Sequence, residues 1–317
     1  AMQGIADVLR YVPGTHGAQG EGNRDQVMLR GINTTADFFV DGVRDDMQIY
    51  RDLYNLERVE VLKGPGGMAF GRGGAGGIIN RVVKKPVFGH VGSADASLSS
   101  YGGLRATVDV GNKAGDNTAW RLNAMAESGK NFRDGFDKKR YAVNPTVTVL
   151  VSPATTLTLG YEHARHDGTA DRGIPSAAAT LAPFDTGTGT FFGNAAQSTT
   201  DSTVNGLSAL LDHSFSNTTR ITNNLRITHY DKFYQNVYAN GAVTAAGLVR
   251  IEAYNNTDKR TNVFNQTDLT TKFTAGGFEH SLLAGLELGH QDSSSVRKIG
   301  FFGAATFLNV AAASPLA

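Results

Sequence analysis

The stretch LERVEVLKGPGGMAFGRGGAGGIINRVVKKP (residues 56–86) decides how the first part of this chain is built. Within it, Gly71, Gly73 and Gly76 have the GxGxxG spacing of a dinucleotide-binding turn, in which a following helix holds the pyrophosphate. The residues that follow here read IINRVVKKP, which is β-branched and closed by Pro86, so they predict a strand. No Lys-Ser or Lys-Thr follows the glycines, as a P-loop would require. The sequence context therefore argues against nucleotide binding.

The composition narrows the class of protein. No run approaches the roughly eighteen apolar residues of a spanning helix, which excludes a helical membrane protein. Glycine is abundant, at 38 of 317 residues, and proline is scarce, at 8, which predicts many tight turns between strands. The formal charge is +1 without a polybasic run, so a nucleic-acid partner is not expected. Because the chain has no cysteine, disulfides, zinc-thiolate sites and cysteine nucleophiles are excluded.

The sequence pattern changes near Pro86, and the first part predicts a small α+β unit. Residues 4–12 form a short helical pattern that Pro13 and Gly14 end, and a Gly-rich loop is expected from there to Gly22. Short strands are predicted at residues 26–32, 37–44, 57–64 and 77–85, with Asp41-Gly42 as the turn within the second of these.

From about residue 90 onward, long segments alternate between apolar and polar residues. In TAWRLNAMAE (residues 118–127), Arg121, Asn123 and Glu127 share one face, while Trp120 and Leu122 lie on the other. Each segment has about ten residues, the length that a tilted strand needs to cross a membrane. Roughly ten such strands are expected, fewer than the about 22 that a barrel holding an 86-residue domain needs.

The connections between these strands alternate in length. Short ones are expected at residues 111–117 and 214–219, and long ones at about 166–200 and 238–247. This asymmetry, together with the polar face, favours an outer-membrane barrel with a wet lumen over a soluble β-sandwich, which remains the alternative. The polar residues assigned to the lumen are Arg121, Asn123, Glu127, Thr222, Asn224, Arg226, Asp268, Lys272 and Glu287.

With this order established, the opening stretch resembles the plug signature of TonB-dependent outer-membrane receptors of the siderophore branch. The resemblance runs from ADVLRYVPG (residues 6–14) through VMLRGI (27–32) and FFVDGVRDD (38–46) to Pro86. It implies an α+β plug domain at residues 1–86, followed at 87–317 by part of an antiparallel transmembrane β-barrel. It also implies that the TonB box and first plug strand precede residue 1 and that further barrel strands follow residue 317.

The resemblance implies a function in the outer membrane of a Gram-negative bacterium. Such receptors bind a ferric siderophore and import it with energy from the TonB-ExbB-ExbD complex, in contact with outer-membrane lipid and lipopolysaccharide. The ferric siderophore is the transported ligand, and no intrinsic cofactor or enzymatic activity is expected. A receptor for haem, cobalamin or a carbohydrate, and a surface β-protein without a transport role, remain the alternatives.

The resemblance also assigns residues to roles. Arg30 and Lys63 correspond to basic plug positions that pair with barrel-wall glutamates. Five plug glycines are structural and permit positive φ and close backbone approach; they are Gly64, Gly71, Gly73, Gly76 and Gly77.

The ligand is expected to meet the outward loops of the plug, at residues 16–23, 33–37 and 44–51. Because a ferric catecholate is anionic and aromatic, guanidinium and phenol groups suit it, and the candidate residues are Arg24, Asn33, Arg44 and Tyr50. No metal site is predicted, since His163 and His166, three apart on a strand, point to opposite faces.

Overall fold

The computed structural model describes residues 2–18, 20–34, 37–64, 67, 70 and 76–315, without the side chains of residues 18, 33 and 34. The first part of the chain contains one short helix and seven short strands, which form a three-stranded sheet in the order β1-β2-β3 and a four-stranded sheet in the order β5-β4-β7-β6. These elements are α1 (Ile5–Leu9), β1 (Thr15–Ala18), β2 (Gln26–Leu29), β3 (Ile32–Thr34), β4 (Phe38–Val40), β5 (Val43–Arg44), β6 (Leu56–Leu62) and β7 (Ile78–Val83).

The small α+β unit has its own apolar core. Helix α1 buries Ile5 and Leu9 against Val27 and Leu29 of β2 and against Phe38 of β4. The predicted helix, the predicted strands and the turn at Asp41-Gly42 are all present. The prediction of a Gly-rich loop directly after Gly14 was wrong for its first residues, because residues 15–18 form a strand that pairs with β2. Backbone pairing across the sheet therefore outweighed local glycine content.

The second part forms one antiparallel sheet of ten strands. They run in the order β16 to β8, with β17 pairing with β15, so the count of roughly ten is confirmed. The strands are β8 (Val91–Leu98), β9 (Leu104–Lys113), β10 (Thr118–Gly129), β11 (Lys138–Ser152), β12 (Thr155–Thr169), β13 (Thr199–Ser214), β14 (Thr219–Ala239), β15 (Leu248–Ala275), β16 (Phe278–Ile299) and β17 (Phe307–Ala311).

The two faces of the large sheet differ as the alternation predicts. In β10, Ala119, Asn123 and Glu127 are buried toward the small unit, whereas Trp120 and Ala126 are exposed on the opposite face. In β14, even-numbered residues such as Tyr230 and Lys232 contact the small unit. We call the face toward the small unit the lumen face, and the apolar opposite face the outer face.

The connections between strands differ in length at the two ends of the sheet. At one end they are short, at residues 114–117, 153–154, 215–218 and 276–277. At the other end they include the long stretch 170–198 and the shorter stretches 130–137 and 240–247. The predicted loop asymmetry is thus confirmed, and the long-loop end corresponds to the outside of the cell in barrels of this kind. No helix among the described residues is long and apolar enough to span a membrane.

Candidate functional site

Arg51 organises the loop of the small unit that reaches the long-loop end. Its guanidinium is almost fully buried and donates hydrogen bonds to the carbonyl oxygens of Asp45 (2.7 Å), Met47 and Ile49 (3.1 Å). It also lies 4.1 Å from the centre of the Phe38 ring. One side chain therefore fixes the course of residues 45–51 and positions whatever they present to the lumen.

Asp45 joins this loop to the wall of the sheet. Its carboxylate pairs with Arg51 at 3.2 Å and with Arg81, and it accepts a 2.5 Å hydrogen bond from the hydroxyl of Tyr230 on β14. Burial alone would raise the pKa of Asp45, but the charges of Arg51 and Arg81 hold it well below its usual range. The carboxylate therefore stays ionised, and removing a partner would leave a buried charge uncompensated.

A second ionic contact lies at Asp52. Its oxygens accept from Arg105 of β9 at 2.7 and 2.9 Å, and Arg140 of β11 lies 3.4 Å away. Both arginines also pair with Glu127 of β10. The side chains of this cluster are about one-tenth exposed or less, so water screens them weakly.

Glu162 of β12 is the centre of a looser contact. Its carboxylate lies 3.4 Å from the hydroxyl of Tyr54, 3.2 Å from the amide of Asn55 and 3.4 Å from the guanidinium of Arg226. These distances are at the long end for hydrogen bonds. The small unit therefore contacts the wall through tight contacts at Asp45 and Asp52 and a weaker one at Glu162.

An aromatic and cationic surface lies on the lumen face near the long-loop end. We call it the outer chamber, and it consists of Arg172, Tyr234, Tyr238, Tyr254 and Arg297. Tyr254 meets Tyr234 and Tyr238 edge-on, with ring centres 5.8 and 5.6 Å apart. Arg172 lies 3.9 Å from the Tyr238 ring and donates to the Tyr254 hydroxyl at 3.2 Å, and Arg297 lies 3.8 Å from the Tyr254 ring.

The outer chamber adjoins the tip of the small unit. Residues 20–23 form this tip, which we call the apex turn. Glu21 lies 4.0 Å from Arg172, and Lys232 donates to Asn23 and to the carbonyl of Gln48, both at 2.6 Å. Guanidinium groups over phenol rings can bind a ligand that is both anionic and aromatic.

The described contacts of the four predicted ligand residues place them in different surroundings, and their role stays a prediction. Arg24 follows the apex turn and pairs with Glu21 at 2.6 Å. Tyr50 packs against the wall, with its ring 5.0 Å from that of His166 on β12. Arg44 is 6% exposed and stacks on Phe39 within the small unit, so it does not line the chamber in this arrangement. The side chain of Asn33 lies outside the described residues.

The predicted locking residues both lie outside the buried core of the small unit. Lys63 donates to the carbonyl oxygen of Pro13, and Arg30 is exposed at a turn with φ of 52°. For the part of the chain that is described, the structure gives neither residue an ion pair with a wall glutamate. Their locking role therefore stays a prediction.

Three of the five predicted structural glycines are described. Gly64 and Gly77 have positive φ, at 68° and 141°, and Gly76 leaves no room for a Cβ against the carbonyl of Leu29. Gly71 and Gly73 lie outside the described residues.

The two histidines diverge as predicted. His163 lies on the outer face, 2.8 Å from Asn205, and His166 lies on the lumen face. Within the described residues, no three His, Asp or Glu side chains converge to hold a metal ion.

Sequence reasoning missed most of the chamber. Tyr230, Tyr234 and Tyr238 recur every four residues, which places them on one face of β14, and this period was the available signal. Arg172 and Arg297 carried no such signal, because one lies in a long loop and the other on a different strand.

Comparison with known proteins identifies the family. The model of the TonB-dependent receptor plug domain matches residues 1–78. The chain is 32% identical over 310 residues to the catecholate siderophore receptor Fiu of Escherichia coli, covering 89% of this chain and 41% of that protein. The chain belongs to the TonB-dependent receptors. The small unit is its plug, and the large sheet is part of its barrel.

Solved structures agree with this assignment. The open form of the ferric-catecholate import receptor Fiu from E. coli K12 superposes with a TM-score of 0.81 at 30% identity, covering 92% of this chain and 47% of that chain. The siderophore receptor PiuA from Acinetobacter baumannii gives 0.85 at 25% identity, with 95% and 46% covered. The chain spans less than half the length of these relatives. As a TonB-dependent receptor, the chain is assigned to the outer membrane of a Gram-negative bacterium.

Proposed function

We propose that this receptor binds a ferric siderophore of the catecholate class at the outer chamber and imports it across the outer membrane. The observation that carries this proposal is the lining of the chamber, where Arg172 and Arg297 lie on the rings of Tyr238 and Tyr254. A ferric tris-catecholate is a trianion with aromatic edges, so it matches both features. The relatives named for catecholate siderophores support the same ligand class.

Energy for import comes from the TonB-ExbB-ExbD complex, as in other members of the family. The plug occupies residues 1–86 and the barrel segment begins at 87, with outer-membrane lipid and lipopolysaccharide against the outer face. Arg24, Asn33, Arg44 and Tyr50 remain ligand candidates; Arg24 pairs with Glu21, which lies near Arg172 of the chamber. Arg30 and Lys63 remain candidates for locking the plug.

Ligand binding to the full-length receptor tests the proposal. Arg172→Ala and Tyr238→Ala should each weaken binding of a ferric tris-catecholate by about tenfold or more, because each removes a charge-assisted or cation-π contact. Quenching of intrinsic fluorescence in detergent measures the affinity. Tyr161→Ala, on the outer face, serves as the control. Unchanged affinity in both chamber variants would refute the site, and growth of an iron-starved strain on the chelate would test import.

A further inference from the structure

Glu21 lies between Arg24 of the plug and Arg172 of the outer chamber. Its carboxylate pairs with Arg24 of the plug at 2.6 Å and lies 4.0 Å from Arg172 in the connection at residues 170–198, which we call the outer loop. Burial alone would raise the pKa of Glu21, but Arg24, Arg172 and the Tyr254 hydroxyl together lower it. An ionised carboxylate therefore satisfies the donors that an anionic ligand would need.

The backbone that carries this carboxylate is in an unusual conformation. Glu21 has φ of 58° and ψ of 20°, the left-handed region that residues with a Cβ rarely adopt. The neighbouring Gly22 has φ of 71° and packs directly on the backbone of Asp171, at the base of the outer loop. The contacts of Glu21 and Gly22 with the outer loop therefore help to hold the apex turn in this conformation.

We propose that Glu21 is an internal competitor for the anion-binding groups of the outer chamber, which an anionic ligand must displace in order to bind. This inference rests on the proposed function and assigns to Glu21 a role in setting the affinity for the ligand. Since Glu21 is the carboxylate near both Arg24 and Arg172 among the described residues, an incoming ligand oxygen replaces Glu21 rather than adding to it. A neutral chelate of similar size does not compete for these charges.

Displacement has a consequence for the plug. Once Glu21 leaves the two arginines, the carboxylate no longer holds the apex turn in its left-handed conformation. The turn lies on the plug, whereas Arg172 lies in the connection between β12 and β13 of the large sheet. Ligand binding therefore exchanges a contact between the plug and this loop for a contact between the ligand and the loop. Occupancy of the chamber is thereby converted into a loosened plug apex.

The experiment compares Glu21→Gln with wild type in the full-length receptor. Glutamine keeps the length of the side chain but removes the charge, so a ferric tris-catecholate should bind about tenfold more tightly. A ferric tris-hydroxamate, which is neutral, should bind with affinity changed less than twofold. Glu57→Gln, at an exposed position on β6, is the matched control and should leave both affinities unchanged.

A double-mutant cycle makes the assignment specific. In an Arg172→Gln background the gain from Glu21→Gln should fall at least threefold, because one of the contested donors is absent. Equal or weaker tris-catecholate binding by Glu21→Gln would overturn the inference while leaving the proposed function intact. An equal gain for the neutral chelate would overturn it as well, since loop relaxation would then be the cause. If wild type binds neither chelate, the proposed function fails and the inference with it.

Discussion

Asp25 is a plug carboxyl whose ionisation works against folding. It is 5% exposed, and burial raises its pKa to about 6, although Arg51 and the Arg51 backbone N–H, which donates to it at 2.7 Å, offset part of the effect. Because the folded pKa exceeds the unfolded value, the native plug binds this proton more tightly. The contribution of Asp25 to the free energy of unfolding is therefore fully present below about pH 4 and is lost as the pH rises through about 6.

Asp25→Asn should remove this pH dependence. The amide oxygen can still accept from the Arg51 N–H, while the cost of a buried charge, about 3 kcal/mol for a shift of this size, is gone above pH 6. We expect the variant to be more stable than wild type at pH 8 and no more stable at pH 4. Amide hydrogen exchange of plug residues 45–51 in the full-length receptor measures the difference. If the difference in exchange between Asp25→Asn and wild type were the same at pH 4 and at pH 8, the pH dependence would not come from Asp25.

Gly22 and Gly42 separate two effects of glycine. Both have positive φ, at 71° and 83°, but a Cβ at Gly22 would meet the backbone of Asp171, whereas nothing lies within 4 Å at Gly42. Gly42→Ala should thus cost only the conformational penalty of about 1 kcal/mol. Gly22→Ala should cost clearly more and should increase hydrogen exchange in the apex turn. If the two substitutions reduced the free energy of unfolding equally and changed hydrogen exchange equally, the apex turn would not pack tightly on the connection at residues 170–198.

At the residue scale, the sequence predicted the structural roles of single residues better than it predicted which residues contact each other. The glycines of the plug were predicted as structural; Gly76 and Gly77 leave no room for a Cβ, and Gly64 has a positive φ of 68°. The pairing of Asp45 with Tyr230 could not be predicted, because the two residues are 185 positions apart and no local pattern links them. Contacts between plug and wall depend on the register of the whole barrel.

At the element scale, strand alternation was the strongest signal. It placed Thr222, Asn224 and Arg226 of β14 on the lumen face, and Asn224 contacts the carbonyl of Asp41 in the plug. The sequence predicted the length of the connection at residues 170–198, but it did not predict how the residues of this loop pack. It packs Phe192 against Val237 and Ile251 in an apolar cluster of its own. Loops carry no periodicity that would reveal such packing.

Two positions of β14 test the assignment of its faces. Leu225 is on the outer face, and Thr222, three residues earlier, lies on the lumen face beside Asp212 and Asp268. Leu225→Arg should destabilise the barrel by about 2–4 kcal/mol if it lies near the bilayer midplane and should reduce insertion. Thr222→Arg should be tolerated because it gains acidic neighbours. Heat-modifiable migration of outer-membrane fractions measures assembly, and equal effects would contradict the orientation.

At the scale of the whole molecule, the plug is held by charges that belong to two separate parts of the chain. Asp52 binds Arg105 and Arg140, Asp46 lies 3.3 Å from Arg260, and Lys84 lies 2.9 Å from Asp109. Two small apolar clusters add to these pairs, one of Met47 and Ile49 with Tyr230 and one of Tyr54 with Met125. Such a seam is compatible with a plug that is stable at rest and movable under force.

A reversible cross-link between plug and barrel tests whether import requires this movement. Asp46 accepts from Gln291 of β16 at 3.2 Å, and residues 1–317 contain no cysteine, so Asp46→Cys with Gln291→Cys adds the two cysteines of this segment. Joined by a short bis-methanethiosulfonate reagent, the receptor should still bind the ferric chelate within about threefold but should lose uptake, because the plug stays tied to the wall. A reducing agent should restore uptake, and each single-cysteine variant is the control. Full uptake through the cross-linked receptor would show that the ligand passes without displacement of this part of the plug.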